Sequence, residues 1–403
     1  MLENRRPKFE ERIRRLAGFG HRGSTTDHER AAADYLCNDL AASGFRPERE
    51  SFRGSSSFGG RILIHLVFAV FGAVAFWWMP IVSTIVGVVV LCSLWAEQTT
   101  RGVWLSWPLV RAPSVNIVAR LPASSPRLRV IVSGHYDTQR TGLLWWLGKH
   151  LIPLLWWLPA MLKPPLLLLG LAIFGQVVLS AVAIFAGPLP AVSAANWIVL
   201  GAYAIGFALL TDWSIGKFVA GAADNATGAA AAIAVAEAWR DAPTPGVELV
   251  LLIPSCEETG MLGAAAWADR HRQELRDVPT VFLNFDNLGV GDPRFFGAEI
   301  PLFGPPAHFP PAMIEIARAA AADLGLLDPG PHTMPGPTDG IAFLVRGLRG
   351  MTIVSFRTHG YMPWYHLPGD TADHVDFVAA WRGVELGWLC VERMTTELDD
   401  DGR

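Results

Sequence analysis

Two patterns of apolar and polar positions alternate along this chain. Residues 1–60 and 215–403 mix charged and apolar side chains, as amphipathic helices and partly buried strands do. Two runs between them are free of charge. No Asp, Glu, Lys or Arg occurs from Ile62 to Trp95, or from Pro164 to Thr211. A bilayer span needs about 20 apolar residues. The first run predicts a transmembrane hairpin broken at Pro80, with one long helix as the alternative, and the second a hairpin broken at Gly187-Pro188-Leu189-Pro190. Residues 142–162 set Trp145-Trp146 and Trp156-Trp157 around Lys149 and His150, which suits a segment lying in the membrane interface.

Outside these runs the spacing predicts helices over residues 8–20 and 30–43, the second entered through Ser24-Thr25-Thr26-Asp27 and closed by Gly44. Phe45 to Phe52 reads as extended. Ser114–Leu121 and Leu128–Ser133 read as a two-stranded hairpin. Beyond Ala220 helices and strands alternate. Helices are expected from Asp224 to Trp239, Gly263 to Arg276, Pro311 to Leu324 and Val375 to Leu398. Strands are expected from Val247 to Pro254, Thr280 to Asp286 and Thr352 to Phe356. This order predicts an α/β fold, a mostly parallel central sheet with helices on both faces. Residues 1–60, 97–140 and 214–403 would form the catalytic domain. Residues 61–96 and 141–213 would be membrane inserts.

Composition sharpens the membrane reading. The chain is 51% hydrophobic and only 17% charged, against roughly 25% charged in soluble domains. A net charge of -4 without a basic stripe argues against nucleic acid as a partner. Cys37, Cys92, Cys256 and Cys390 are widely spaced, which predicts reduced thiols. No apolar run follows the basic residues near the N-terminus, so no secretory signal peptide is expected. The hairpin tips lack lysine and arginine, whereas Arg61, Arg101, Arg111, Lys149, Lys163 and Lys217 flank the opposite ends. The positive-inside rule then predicts an integral protein of a bacterial-type inner membrane with a cytoplasmic catalytic domain.

The candidate chemistry sits at strand ends and in late loops. Val130-Ile131-Val132-Ser133 runs into Gly134-His135-Tyr136-Asp137. Asp224 opens a helix, Glu257-Glu258 follow one strand, Asp286 ends another, and His366 lies in a loop near the C-terminus. Ligand sites of parallel sheets gather at the carboxyl ends of their strands. Each residue alone has an ordinary reading as a turn, surface or helix-start group. Two histidines with several carboxylates form a donor set for two zinc ions, which take imidazole nitrogen and carboxylate oxygen.

Five segments taken in order resemble zinc metallopeptidase family twenty-eight of clan MH. They are Gly134–Asp137, Gly221–Gly228, Glu257–Gly263, Asn284–Gly289 and Tyr365–Asp370. The resemblance extends to residues 10–55 and to Thr338-Asp339-Gly340, and leaves out only the hydrophobic blocks. It implies the zinc exopeptidase fold, phosphorylase/hydrolase-like, and a peptide substrate. It implies that His135 and Asp286 hold one zinc, that Glu258 and His366 hold the other, and that Asp224 bridges them. Glu257 would be the general base, and Asp137 would orient the ring of His135. The family includes aminopeptidases, carboxypeptidase relatives and glutaminyl cyclases. The leading expectation is a membrane-anchored aminopeptidase in contact with lipid. The alternatives are glutaminyl cyclase or carboxypeptidase chemistry on the same site, or a membrane receptor or scaffold. A transporter would need ionisable residues inside its spans, and the clear spans hold only His65. Two departures stand out. Ala223 occupies a place where the family often has an acid, and a membrane hairpin separates His135 from Asp224. Either Tyr365 or Tyr361 would be placed to assist an oxyanion.

Overall fold

A computed structural model describes residues 2–151, 154, 155, 157, 158, 166–301 and 304–398. Trp156, Lys163 and Pro164, named above, lie outside the described residues. The elements run α1 (Arg6–Ala17), α2 (Asp27–Ala42), β1 (Glu48–Gly54), α3 (Phe58–Ala75), α4 (Pro80–Gln98), β2 (Ala112–Leu121), β3 (Leu128–Ser133) and α5 (Leu143–Leu151). They continue with α6 (Leu167–Ala186), α7 (Pro190–Ile215), α8 (Thr227–Asp241), β4 (Val247–Ile253), α9 (Leu262–Arg270), α10 (Glu274–Asp277) and β5 (Thr280–Asp286). The chain ends with β6 (Pro293–Glu299), β7 (Ala307–His308), α11 (Pro311–Asp323), β8 (His332–Met334), α12 (Asp339–Leu344), β9 (Arg349–Ser355) and α13 (Phe377–Glu397).

The sheet order is β1-β2-β4-β3-β5-β9-β6-β7, with β8 beside β6. Its centre, β4-β3-β5-β9, is parallel, and β1, β2 and β6 join antiparallel. The expected α/β class is borne out. The expected β2–β3 hairpin is not. β4 lies between these strands, antiparallel to β2 and parallel to β3. Both neighbours of β4 offer β-branched and leucine side chains, so local pattern could not say which strand would intervene. The helix expected to reach Arg276 stops at Arg270 and restarts as the short α10. The edge strands β6–β8 had no strong alternating signal.

Alternation in the central strands feeds two cores, as side chains two apart share a sheet face. Val130, Val132, Leu249, Leu251, Val281 and Leu283 meet α1, α2, α8, α11 and α13. Ile131, Val250, Leu252 and Phe282 point the other way, against Trp267 of α9 and Phe343 of α12. The parallel strands therefore carry loops that converge at one edge.

The two charge-free runs become four helices, α3, α4, α6 and α7, each long and apolar enough to cross a membrane. They pack as one bundle around Leu66, Ala69, Ala73, Val90, Ile173 and Tyr203. Small residues and polar contacts join them. Ser83 and Ser180 share a hydroxyl hydrogen bond of 2.7 Å, and Asn196 Nδ2 donates to the Ala73 carbonyl at 2.9 Å. At the tip, Trp77 packs on Trp197 with ring centroids 4.9 Å apart. At the other end, Trp213 meets Phe58 and Trp145 at 5.5 and 5.0 Å.

Candidate metal centre

β3 delivers the first imidazole. After Ser133 the chain turns at Gly134, where a side chain would collide with the backbone of Gly228 at the start of α8. Only glycine permits this approach, which brings the His135 loop against the Asp224 turn. His135 Nε2 then lies 3.5 Å from Asp224 Oδ1, 3.7 Å from Glu257 Oε2 and 3.9 Å from Asp286 Oδ1. On the opposite side His366 Nε2 lies 3.1 Å from Asp224 Oδ2 and 3.2 Å from Glu258 Oε2. His366 has a left-handed backbone, φ 54°.

All seven residues singled out from the sequence thus meet in one place. Asp224 belongs to two triads, His135–Asp224–Asp286 and Asp224–Glu258–His366, and the ligand atoms of each lie within 4.8 Å of one another. The six candidate donors and base are buried. Among the described residues, His135 Nδ1 and Nε2, His366 Nδ1 and Nε2, and Glu258 Oε1 have no hydrogen-bond partner. Buried polar atoms without partners are costly, and a pair of cations held by these donors would satisfy them. The donor set fits zinc in its residue types and in its sharing of one carboxylate.

The carboxylates are held by groups that short-range pattern does not reveal. Asp137 lies 3.4 Å from His135 Nδ1 and accepts Ser24 Oγ at 2.7 Å. It also accepts the backbone N–H groups of Glu257 and Glu258 at 3.1 and 3.2 Å. It therefore orders the Glu257-Glu258 loop as well as facing the histidine. Gln139 Nε2 donates to the carbonyl and Oε2 of Glu258 at 2.7 and 3.0 Å. Asp370 accepts the N–H groups of Ala223 and Asp224 at 2.7 and 3.1 Å. Buried Arg22 donates to the carbonyls of Tyr136, Ala220 and Gly221 at 2.6, 2.6 and 2.8 Å, tying the His135 loop to the Asp224 turn. Asp370 was visible inside the last motif. Arg22 and Gln139 carry no signal beyond polarity, and Ser24 reads from the sequence only as part of a helix entry.

The electrostatics reflect crowding of acids in a dry site. Burial pushes the Glu257 carboxyl well above the usual range, with Glu258 and Asp286 nearby adding to the effect. Burial also raises Glu258, to about 7. For His366 burial disfavours the charged ring, but Glu258 and Asp224 outweigh it and raise it to about 9. Burial would raise Asp224, yet the imidazoles of His135 and His366 close beside it leave it lowered. Beside these groups opens a recess lined by Asp224, Glu257, Asp286, Met334, Met362 and Tyr365. Of the two candidate tyrosines, Tyr365 lines it.

Both apolar inserts reach this site. Arg61, at the start of α3, donates to the Thr259 carbonyl beside Glu258. Trp145 of α5 stands edge-on to the His366 ring, centroids 4.2 Å apart.

An α/β sheet thus gathers two triads of zinc-type donors around a recess. Residues 205–387 match the model of Peptidase family M28. The match takes in four of the five motifs, from Gly221 to Asp370, and bears out the resemblance there. The fold resembles a Zn-dependent exopeptidase from Parabacteroides distasonis, with 12% identity, a TM-score of 0.55 and 97% of each chain covered. It also resembles a leucine aminopeptidase precursor and a glutaminyl cyclase from Bacteroides thetaiotaomicron, each with 13% identity, a TM-score of 0.56 and 96% of each chain covered. A search of curated proteins finds no match.

Proposed function

We propose that the chain is a membrane-anchored di-zinc aminopeptidase. The observation that carries this reading is the pair of buried triads sharing Asp224. His135 and Asp286 would hold one zinc, Glu258 and His366 the other, and Asp224 both. Bound zinc would supply Lewis-acid polarisation of the scissile carbonyl and acidify the attacking water. Glu257, facing the same recess, takes the proton of the attacking water and passes it to the leaving amine. Its burial favours proton uptake, which suits a base that must later act as an acid. Asp137 holds the backbone of Glu257 and faces the His135 ring, so base and first imidazole keep a common frame. Tyr365 lines the recess where a tetrahedral oxyanion would form. The four apolar helices would span the bilayer and hold the domain at its cytoplasmic surface.

The test is turnover of aminoacyl-anilides by zinc-loaded, full-length protein in detergent. Glu257→Gln should lower kcat by about 10²–10⁴-fold, the usual contribution of a general base, while zinc content stays that of the unaltered protein. Full activity in this variant removes Glu257 from the role. Cyclisation of N-terminal glutaminyl peptides without anilide hydrolysis would assign the site to the alternative amide chemistry that the similar glutaminyl cyclase fold raises.

A further inference from the structure

The second membrane insert begins with α5, a helix placed between the metal centre and the ends of the spans. One face meets the active-site loop. Trp145 touches His366, and the Lys149 ammonium lies 4.1 Å from the centre of the Trp364 ring. The same Trp145 packs on Trp213 in the last turns of α7, and Leu143 N–H donates to Asp212 Oδ2 at 2.6 Å. α5 therefore lies at the level where the spans end. The opposite face is apolar and bare. Leu143, Trp146 and Leu151 are 47%, 53% and 47% exposed, and Leu154 and Trp157 beyond them are more exposed still. Lysines stand near both ends of the helix: Lys149 on the loop-facing side, and exposed Lys217, whose carbonyl accepts the Thr141 N–H just before α5, while Asp212 is engaged at its start.

We propose that α5 is a lipid-docking helix whose seating on an anionic bilayer surface positions His366, so that full turnover requires that surface. Three observations select lipid as the occupant of the bare face. The chain leads from it into a candidate span, it packs on the end of another, and lysines stand near both its ends. Tryptophan and lysine at such a border favour the interface between water and hydrocarbon. Trp145 is a positioning residue, since it reaches the chemistry only through His366. The substrate class follows. A site held within two aromatic rings of the span ends favours peptides whose N-termini lie at the membrane surface. This inference rests on the metallopeptidase and membrane readings above.

The experiment uses full-length, zinc-loaded protein in nanodiscs of phosphatidylcholine, or of phosphatidylcholine and phosphatidylglycerol in equal parts, and in detergent. In a Cys92→Ser background an environment-sensitive fluorophore is attached to Trp146→Cys. Cys92 is the exposed native cysteine, and the other three are partly or wholly enclosed. The probe should shift to the blue in nanodiscs and be quenched by lipid-borne nitroxides. kcat on a soluble anilide should rise about fivefold on the anionic surface, the effect expected of one lysine near it, with KM little changed. Trp146→Ser with Leu151→Ser should abolish that rise, and Trp146→Phe should restore it. Trp145→Ala should lower zinc occupancy, and Trp145→Phe should keep it. A water-exposed probe in anionic nanodiscs overturns the docking. A seated probe with kcat indifferent to lipid and to the outer-face variants overturns the coupling. Absence of zinc-dependent hydrolysis in every medium would instead sink the peptidase reading, and the probe would still decide the docking.

Discussion

Arg61 is the residue where the apolar helix α3 and the Glu257-Glu258 loop share one bond network, and removing it should injure both. Its side chain is 1% exposed. Nη2 donates to Glu97 Oε2 at 2.8 Å, Nε to Ser106 Oγ at 3.0 Å, and Nη1 to the Thr259 carbonyl. Gly260 has φ 109°, and a side chain there would run into the guanidinium. Arg61→Met leaves the Glu97 carboxylate, only 4% exposed, without its guanidinium partner. Breaking a buried pair from one side costs about 3–5 kcal/mol. Glu97 keeps some support from His65 at 3.3 Å and from the N–H groups of Trp104 and Ser106 at 3.0 and 3.2 Å. The lower end, about 3 kcal/mol, is therefore expected. Arg61→Met/Glu97→Gln removes the stranded charge and keeps an acceptor for those groups, so it should recover about 2 kcal/mol. Equilibrium unfolding in mixed micelles measures both. The loosened Thr259 carbonyl should also weaken zinc binding at Glu258 by about tenfold, the low end for an outer support. A single variant within about 1 kcal/mol of the unaltered protein, or a double variant no more stable than the single, would refute this account of the network.

Two further outcomes follow from the same structure. Asp370→Ala removes the acceptor of two N–H groups that hold the Asp224 turn, and zinc affinity measured by chelator competition should fall about 10–100-fold. Unchanged affinity would mean that the turn is held without it. Glu299 is fully buried beneath Thr338 and Thr352, and burial raises its carboxyl from 4.5 to about 7. The folded state keeps this proton longer than the unfolded chain, so its stabilisation is complete below about pH 4.5 and lost as pH rises through about 7. Relative to Glu299→Gln, stability should decline by about 3 kcal/mol across that window. Parallel pH curves for the two proteins would contradict this.

Much of the site was legible because its residues stand in short motifs at the ends of strands. His135, Asp137, Asp224, Glu257, Glu258, Asp286 and His366 were all named from sequence, and all seven converge. The supports were less legible. Ser24 and Asp137 meet across separate segments, as do Arg22 and Gly221, and one polar side chain has no local pattern that announces a distant partner.

By itself the sequence determined the periodicities. It marked two charge-free runs, the central strands and the order of five motifs, since each is a property of neighbouring residues. Only the tertiary structure decided that β4 separates β2 from β3, since both pairings satisfy the same alternation. It alone joined four apolar helices into one bundle and brought Arg61 to Thr259 and Trp145 to His366. Those contacts depend on the directions in which separate elements leave the sheet, and the packing of the whole chain sets those directions.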